Sequence, residues 1–368
     1  MTALLKDLVL METPSTDAAA QAQILHRLKA EFEEIDYRVN LIPGRNSGGH
    51  IYAAAKYRGK RQPAQLMLGH CDTVWPIGTL EEMPLELEAE ILRGPGVYDM
   101  KAGLVEIIYA LRAIESLGLR PSVAPLCFIN SDEEIGSRES TRYVRALAQR
   151  VDRCMVLEPS LGPSGKIKTA RKGVGRFEVT IQGKAAHAGL DPGAGASAIL
   201  ELSHVIQKLF ELNDPERGTS VNVGVIDGGI RPNMVAPQSR AVIDVRVKNK
   251  EDAARIEYAI HNLEAETEGV ILTIEGTIGR PPMERTEDNQ QLWRIAQQLA
   301  GDIDLELEQG TAGGGSDGNT TSLYTATLDG LGAVGDGAHA HHEHINIDLL
   351  PERCALLTLL LLAPPLKT

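Results

Sequence analysis

The chain has 368 residues, 43% of them hydrophobic and 24% charged, with 36 glycines and 19 prolines, a globular composition at a length that divides into two domains. Its 37 basic and 50 acidic residues leave a formal charge of -13, a field that repels nucleic-acid phosphates and anionic lipid and draws in cations. Cys71, Cys127, Cys154 and Cys354 form neither a C-x-x-C pair nor a dense framework, which supports neither a disulfide scaffold nor a cysteine zinc site and fits free thiols in a reducing compartment.

The opening segment MTALLKDLVLMETPSTD has no basic start and no long apolar stretch, and the longest apolar run, from Ala355 to Leu362, is too short to cross a bilayer. A cytoplasmic protein with no membrane or nucleic-acid partner is expected. Up to about residue 160, strand-like runs at 51–55, 65–69, 123–130 and 153–158 alternate with helix-like stretches at 18–33, 100–117 and 138–149, the pattern of an α/β sheet. Chemistry in such a sheet gathers at the strand ends.

Between 172 and 281 the order becomes strand 174–182, helix 194–211, strands 219–228 and 237–247, helix 251–267 and strand 270–276, the βαββαβ of a ferredoxin-like unit. Phe177, Val179 and Ile181 alternate with polar neighbours, and Asn249 followed by Glu251 and Asp252 marks a helix start. A helix at 288–300, a glycine loop, a helix at 317–326, a strand at 329–334 and a Leu-rich helix at 349–362 then complete the first sheet. The expectation is an α/β catalytic domain built from 1–171 and 282–368, with 172–281 inserted as a second domain.

Five clusters carry chemistry. In 69-GHCDTVW, His70 and Asp72 leave a strand end on one side, an arrangement in which a carboxylate can orient a metal-bound imidazole; a plain surface pair is the alternative. In 94-GPGVYDMKAG a tight loop delivers Asp99 to the start of a helix, either as an N-cap or as a ligand. In 130-NSDEEIGS, Glu133 and Glu134 adjoin at a strand end, where one can ligate a metal while its neighbour takes a proton from water; an acidic loop is the plain alternative. Glu158 ends the strand of 155-MVLEPS, and 335-GDGAHAHHEH places four histidines in six residues.

The concurrence of His70, Asp99, Glu134, Glu158 and one late histidine at strand or loop ends of one domain points to a metal site. Oxygen and imidazole donors without thiolate suit Zn²⁺, with Mn²⁺ or Co²⁺ as alternatives, and two such ions about 3.5–4 Å apart would activate water and polarise a carbonyl. The loop GTAGGGSDGN lacks the G-K-[ST] ending of a phosphate-binding loop, and no dinucleotide fingerprint follows a strand.

The motifs GHCDTV, GPGVYDMKAG, SDEEIGS, LEPS, GKAAHAG, GGGSD and GAHAHHE, in this order around a βαββαβ insertion, resemble the two-zinc aminoacylase and glutamate-carboxypeptidase family of co-catalytic metallopeptidases. VLEPS, GKAAHAG, NVGVIDGG, IDVRV, IGRP and GGGSD bring the chain nearer to the bacterial folate-hydrolysing glutamate carboxypeptidases than to the desuccinylases or acetylornithine deacetylases. The resemblance implies a zinc-exopeptidase-like α/β/α domain, a ferredoxin-like lid and dimerisation domain, and two zinc ions.

It further implies that Asp99 bridges the metals, that His70 and Glu158 complete one site and Glu134 and His339 the other, and that Asp72 orients His70. His339 is chosen from the four histidines because the family's ligand follows a glycine loop as G-x-H with an acid several residues later, here Glu343. Glu133 becomes the general base and acid. His187 would hold the substrate's carbonyl oxygen from the partner subunit of a homodimer, although a histidine in a small-residue loop also has a structural reading. Asn222 would contact oxyanion or carboxylate, and Arg280 would clamp the substrate carboxylate with its planar fork. Arg246 could act similarly or pair with Asp244, and Lys166 and Gly315 would lie near the substrate's tail.

The resulting expectation is hydrolysis of an amide bond beside a free α-carboxylate in a small peptide or N-acyl amino acid, with glutamate released. An N-acyl-amino-acid deacylase or dipeptidase is the near alternative. A non-catalytic zinc-binding protein is the remote one, disfavoured by the presence of Glu133.

Overall fold

The computed structural model describes residues 1–59 and 61–366. The chain forms two compact units: unit 1 comprises residues 1–170, 285–312 and 316–368, and unit 2 comprises 171–284 and 313–315.

Unit 1 opens with helices α1 (Thr2–Val9) and α2 (Gln21–Glu34) and strands β1 (Tyr37–Ile42), β2 (His50–Ala55) and β3 (Ala64–His70). Helix α3 (Thr79–Glu82) and strands β4 (Glu86–Glu88) and β5 (Ile91–Arg93) precede α4 (Ala102–Ser116), β6 (Ala124–Asn130), α5 (Thr141–Ala148), β7 (Arg153–Val156) and β8 (Ile167–Arg171), whose last residue begins unit 2. Unit 2 then supplies β9 (Gly173–Gln182), α6 (Ala198–Glu211), β10 (Ser220–Gly228), β11 (Gln238–Val247), α7 (Lys250–His261) and β12 (Ile271–Arg280). The chain returns to unit 1 with α8 (Glu287–Gly301), β13 (Gln309–Ala312), α9 (Asp317–Thr321), β14 (Ala326–Leu328), β15 (Gly335–Asp336), β16 (His344–Asn346) and α10 (Leu350–Leu362).

The main sheet runs β1-β2-β6-β3-β7-β14, antiparallel across its first three strands and parallel thereafter. Every residue of β3, β6 and β7 is buried, as expected of parallel strands covered on both faces. Alternation assigns the faces: Met67, Cys127, Ile129 and Met155 enter a core shared with α1, α2, α4, α8 and α10, while Leu66, Leu68, Leu126, Phe128, Cys154 and Val156 pack beside Val144 of α5. This is the expected α/β/α sandwich. Register then aligns the strand ends, with His70 opposite Asn130 and Leu68 opposite Val156, so the segments after β3, β6 and β7 leave the same edge.

In unit 2 the order βαββαβ with sheet order β10-β11-β9-β12 is the ferredoxin-like arrangement. Phe177, Val179 and Ile181 form its core with Val205, Ile243, Val245 and Ile256, and the Asn249 side chain caps α7 by accepting from Asp252 N.

Several element boundaries differ from the sequence expectation: α9 ends at Thr321 rather than 326, where β14 begins, and α6 starts at Ala198 rather than 194. Residues 329–334 are not a strand, because Gly330 turns the chain at φ +72° and the sheet's last strand is instead β14. Helix α7 ends at His261, well before 267. Strand β12 continues beyond Gly276, whose φ of +113° accommodates an irregular register rather than ending the strand. The four cysteines are free and buried, and among the described residues no helix is long and apolar enough to cross a membrane.

Candidate metal centre

His70 is the last residue of β3 and is 1% exposed. Its Nε2 lies 3.2 Å from Asp99 Oδ1 and 3.5 Å from Glu158 Oε1, while its Nδ1 sits 3.0 Å from the Asp72 carbonyl oxygen and 3.5 Å from Asp72 Oδ1. Glu158 comes two residues beyond the end of β7, on the edge where β3 also ends. Asp99 occupies the turn before α4 in non-helical backbone, and its peptide bond to Met100 is cis. That turn needs glycine at 96, where φ is +72° and a Cβ would stand 2.6 Å from Thr73 Cγ2.

Glu134 follows β6 and places Oε2 3.0 Å from His339 Nε2, which in turn lies 3.5 Å from Asp99 Oδ2. The two oxygens of Asp99 therefore face two different histidines. His70, Asp99 and Glu134 offer donor atoms all within 4.8 Å of one another, and so do His70, Glu133 and Glu158. Two of the other loop histidines point elsewhere: His341 packs on Trp75, and His344 Nδ1 meets the His342 carbonyl at 2.8 Å.

The electrostatics are those of a site built for a cation. Burial alone would lower His70, yet hydrogen bonds to Asp72, Asp99 and Glu158 outweigh it and hold the imidazole well above its ordinary value. Hydrogen bonds to Asp99 and Glu134 push His339 up to about 10. Burial opposes ionisation of Asp99, but His339 and His70 prevail and keep it far below the usual carboxylate range. Glu134 is pushed up to about 7, chiefly by burial, and its buried Oε1 has no hydrogen-bond partner among the described residues. Two imidazoles facing four carboxylates, with one buried oxygen unsatisfied, are a donor set that fits divalent metal.

Asp72 does more than its spacing suggested. Its carboxylate accepts from Ser15 Oγ at 2.7 Å and from the backbone N–H groups of Glu133 and Glu134 at 3.2 and 3.1 Å, so it fixes the loop that presents both glutamates. Ser15 carried no local signal, since its partner is distant in sequence.

The remaining sequence candidates are not part of this cluster. His187, Asn222, Arg246, Arg280 and Gly315 belong to unit 2. His187 is exposed, and its Nδ1 accepts from Gly189 N and Leu190 N at 3.1 Å. Asn222 is exposed on β10, and Arg280 ends β12. Arg246 grips Asp244 in a two-pronged pair at 2.8 and 2.9 Å, and Lys166, in unit 1, pairs with Glu308 at 2.6 Å.

Residues 66–363 match the family model described as peptidase family M20/M25/M40. The chain belongs to this family. Carboxypeptidase G2 from Pseudomonas sp. (strain RS-16) is 28% identical over 364 residues, covering 95% of this chain and 85% of that protein. Among solved structures, aminopeptidase PepT from Bacillus cereus superposes with a TM-score of 0.79 at 19% identity, over 98% of this chain and 96% of that one. YXEP of Bacillus subtilis, described as a dinuclear metal-binding peptidase of family M20, does so with a TM-score of 0.69 at 14% identity, over 98% of each. At such identities the structures establish the fold alone. As an M20-family member the chain is a hydrolase of the peptidase class, with candidate metal-ligating residues in place.

Proposed function

We propose that this M20-family chain is a zinc-dependent carboxypeptidase that hydrolyses the amide bond next to a free α-carboxylate, releasing glutamate. The observation that carries the reading is Asp99, whose two carboxylate oxygens separately face the His70–Glu158 and Glu134–His339 pairs. Such a carboxylate suits a bridge between two ions, with His70 and Glu158 holding one and Glu134 and His339 the other. Imidazole and carboxylate donors favour Zn²⁺, and Mn²⁺ or Co²⁺ fit the same set.

Two bound ions would supply Lewis acidity to the scissile carbonyl and to water. Glu133 is not needed as a ligand to complete either pair, and it lies within the same donor cluster as His70 and Glu158. It is placed to accept a proton from the attacking water and return it to the departing nitrogen. Asp72, bonded to the backbone of both glutamates, holds Glu133 in position for that transfer. In unit 2, Arg280 would take the substrate's α-carboxylate in a two-pronged contact, Asn222 and a partner subunit's copy of the His187 loop would bind the carbonyl oxygen, and Gly315 would border the tail. Arg246 and Lys166, already paired with acids, would act only after exchanging those partners.

A homodimer through unit 2 is supported by the apolar side chains left exposed there, Val225 and Ile226 on edge strand β10 and Ile199, Leu200 and Phe210 on α6. The similarity to carboxypeptidase G2 over nearly the whole chain favours a carboxypeptidase over a deacylase.

The test is to incubate zinc-loaded wild type and Glu133→Ala, with and without chelator, with a panel of C-terminal peptides and N-acyl amino acids, and to identify the released amino acid by mass spectrometry. Chelator-sensitive release of glutamate, lost by about 10²–10⁴-fold in a Glu133→Ala protein that keeps its zinc, is the expected outcome. Preference for another amino acid moves the specificity to a deacylase or dipeptidase, near-normal turnover in the variant removes Glu133 from the mechanism, and no release at all favours a zinc-binding protein.

A further inference from the structure

The loop that brings His339 to the cluster holds a second acid that touches none of the five proposed ligands through its side chain, except at a backbone amide. Glu343 is 0% exposed, four residues after His339 and immediately before β16. Its carboxylate is filled by four donors: Oε1 accepts from Tyr98 N at 2.9 Å and Asp99 N at 3.0 Å, and Oε2 accepts from Gly96 N at 2.9 Å and Trp75 Nε1 at 2.9 Å. Its own carbonyl oxygen accepts from Gly94 N at 3.4 Å.

Strand pairing sets this up. Strand β16 runs antiparallel to β5 with His344 opposite Arg93, so the residue before β16 meets the residues after β5, which are those of the 94–99 turn. The turn cannot satisfy these amides itself, because glycines at 94 and 96 with φ of +152° and +72° carry it away from regular structure. Three backbone N–H groups converging on one carboxylate fix the path of the turn up to Asp99, and the indole of Trp75 adds a tie from the segment after His70. On the other side, Gly337 at φ +83° approaches Glu343 so closely that a Cβ there would lie 2.8 Å from Glu343 N, which holds the His339 loop against the same anchor.

We propose that Glu343 is a positioning residue for the metal centre, locking the Asp99 turn and the His339 loop into one arrangement before any ion arrives. The inference rests on the reading of Asp99 and His339 as metal ligands. A buried carboxylate saturated by backbone N–H groups is a charge-assisted anchor, and removing the group that orients a ligand costs about 10–100-fold in metal affinity. The neutral amide of Glu343→Gln keeps the shape but turns an NH₂ toward two of the donors.

The experiment uses the full chain. Hydrogen exchange of the 94–101 segment is followed by mass spectrometry in metal-free protein, with β6 as the internal control, and the Zn²⁺ dissociation constants are then measured by chelator competition. In Glu343→Gln the 94–101 segment should exchange at least about tenfold faster while β6 is unchanged, and zinc should bind about 10–100-fold more weakly. Trp75→Phe, which removes a single donor, should leave the segment protected. Should Glu343→Gln not fold, Glu343→Asp keeps the charge, shortens the reach and carries the same test.

Equal protection of 94–101 in variant and wild type, or faster exchange spread evenly over β6 as well, overturns the proposal. Wild type that takes up no zinc would instead overturn the ligand reading, and the exchange comparison in metal-free protein would still decide whether Glu343 holds the turn.

Discussion

Glu106 lies in α4 at 0% exposure, with neither carboxylate oxygen hydrogen-bonded among the described residues. Burial pushes it up to about 8 from an ordinary 4.5, with Arg353 pulling the other way. Arg353 gives its own hydrogen bonds to the carbonyls of Gly165, Gly330 and Gly332, so it screens Glu106 without bonding it. A carboxyl whose folded value is raised adds stability that is complete below its unfolded value of 4.5 and is lost as pH rises through about 8. Glu106→Gln should therefore lie closest to wild type near pH 5 and gain about 4 kcal/mol over it by pH 9, read from thermal unfolding at both pH values. Parallel pH profiles would show that the carboxyl is not desolvated as described. The sequence singled out the residues of the candidate metal cluster because His70, Asp99, Glu134 and Glu158 each follow a recognisable apolar run or glycine turn. It was silent about Ser15, Trp75 and Glu106, whose roles come from neighbours far along the chain and leave no spacing to read.

At the scale of elements, α4 packs tightly against the end of β7 at Gly103. A Cβ on Gly103 would lie 2.0 Å from the Leu157 carbonyl oxygen, one residue before Glu158. Glycine in a helix interior ordinarily costs about 1 kcal/mol against alanine, so its presence in the first turn of α4 reflects this contact rather than helix preference. Gly103→Ala should thus lower stability by about 1–3 kcal/mol despite the better helix former, and should lower zinc content by displacing Glu158. An alanine variant that is as stable as wild type and fully loaded with metal would contradict the contact.

The elements that were legible are those with strong periodicity: the buried strands, the alternating β9 and the capped α7. The strand expected at 329–334 failed because apolar residues there serve a loop, in which Leu331 N bonds to Val156 O and Gly332 N to Glu158 O. Its composition resembles a strand, but its hydrogen bonds go to Val156 and Glu158. The end of α7 and the continuation of β12 were misjudged for the usual reason that tertiary pairing, not local preference, sets element ends.

On the scale of the whole molecule, the hydrophobic residues fall into separate clusters. Phe177, Val205, Leu209, Ile243 and Ile256 form a core drawn entirely from unit 2, and its entry and exit segments pair through Arg171 and Met283, each amide bonding the other's carbonyl at 3.0 Å. A unit with its own core and closed ends should fold by itself, so residues 171–284 expressed alone should unfold in one cooperative step by circular dichroism. A gradual, non-cooperative loss of signal would show that the unit borrows its stability.

Unit 1, by contrast, is interrupted by that insertion, and the residues proposed for its centre are divided between the two parts: His70, Asp99, Glu133, Glu134 and Glu158 precede unit 2, while His339 and Glu343 follow it. During synthesis on the ribosome the acidic half of the centre emerges first and waits through the whole of unit 2 for its last histidine and for the carboxylate that anchors the Asp99 turn. If these residues form the centre as proposed, the capacity to hydrolyse is withheld from the growing chain until the second unit has already been made.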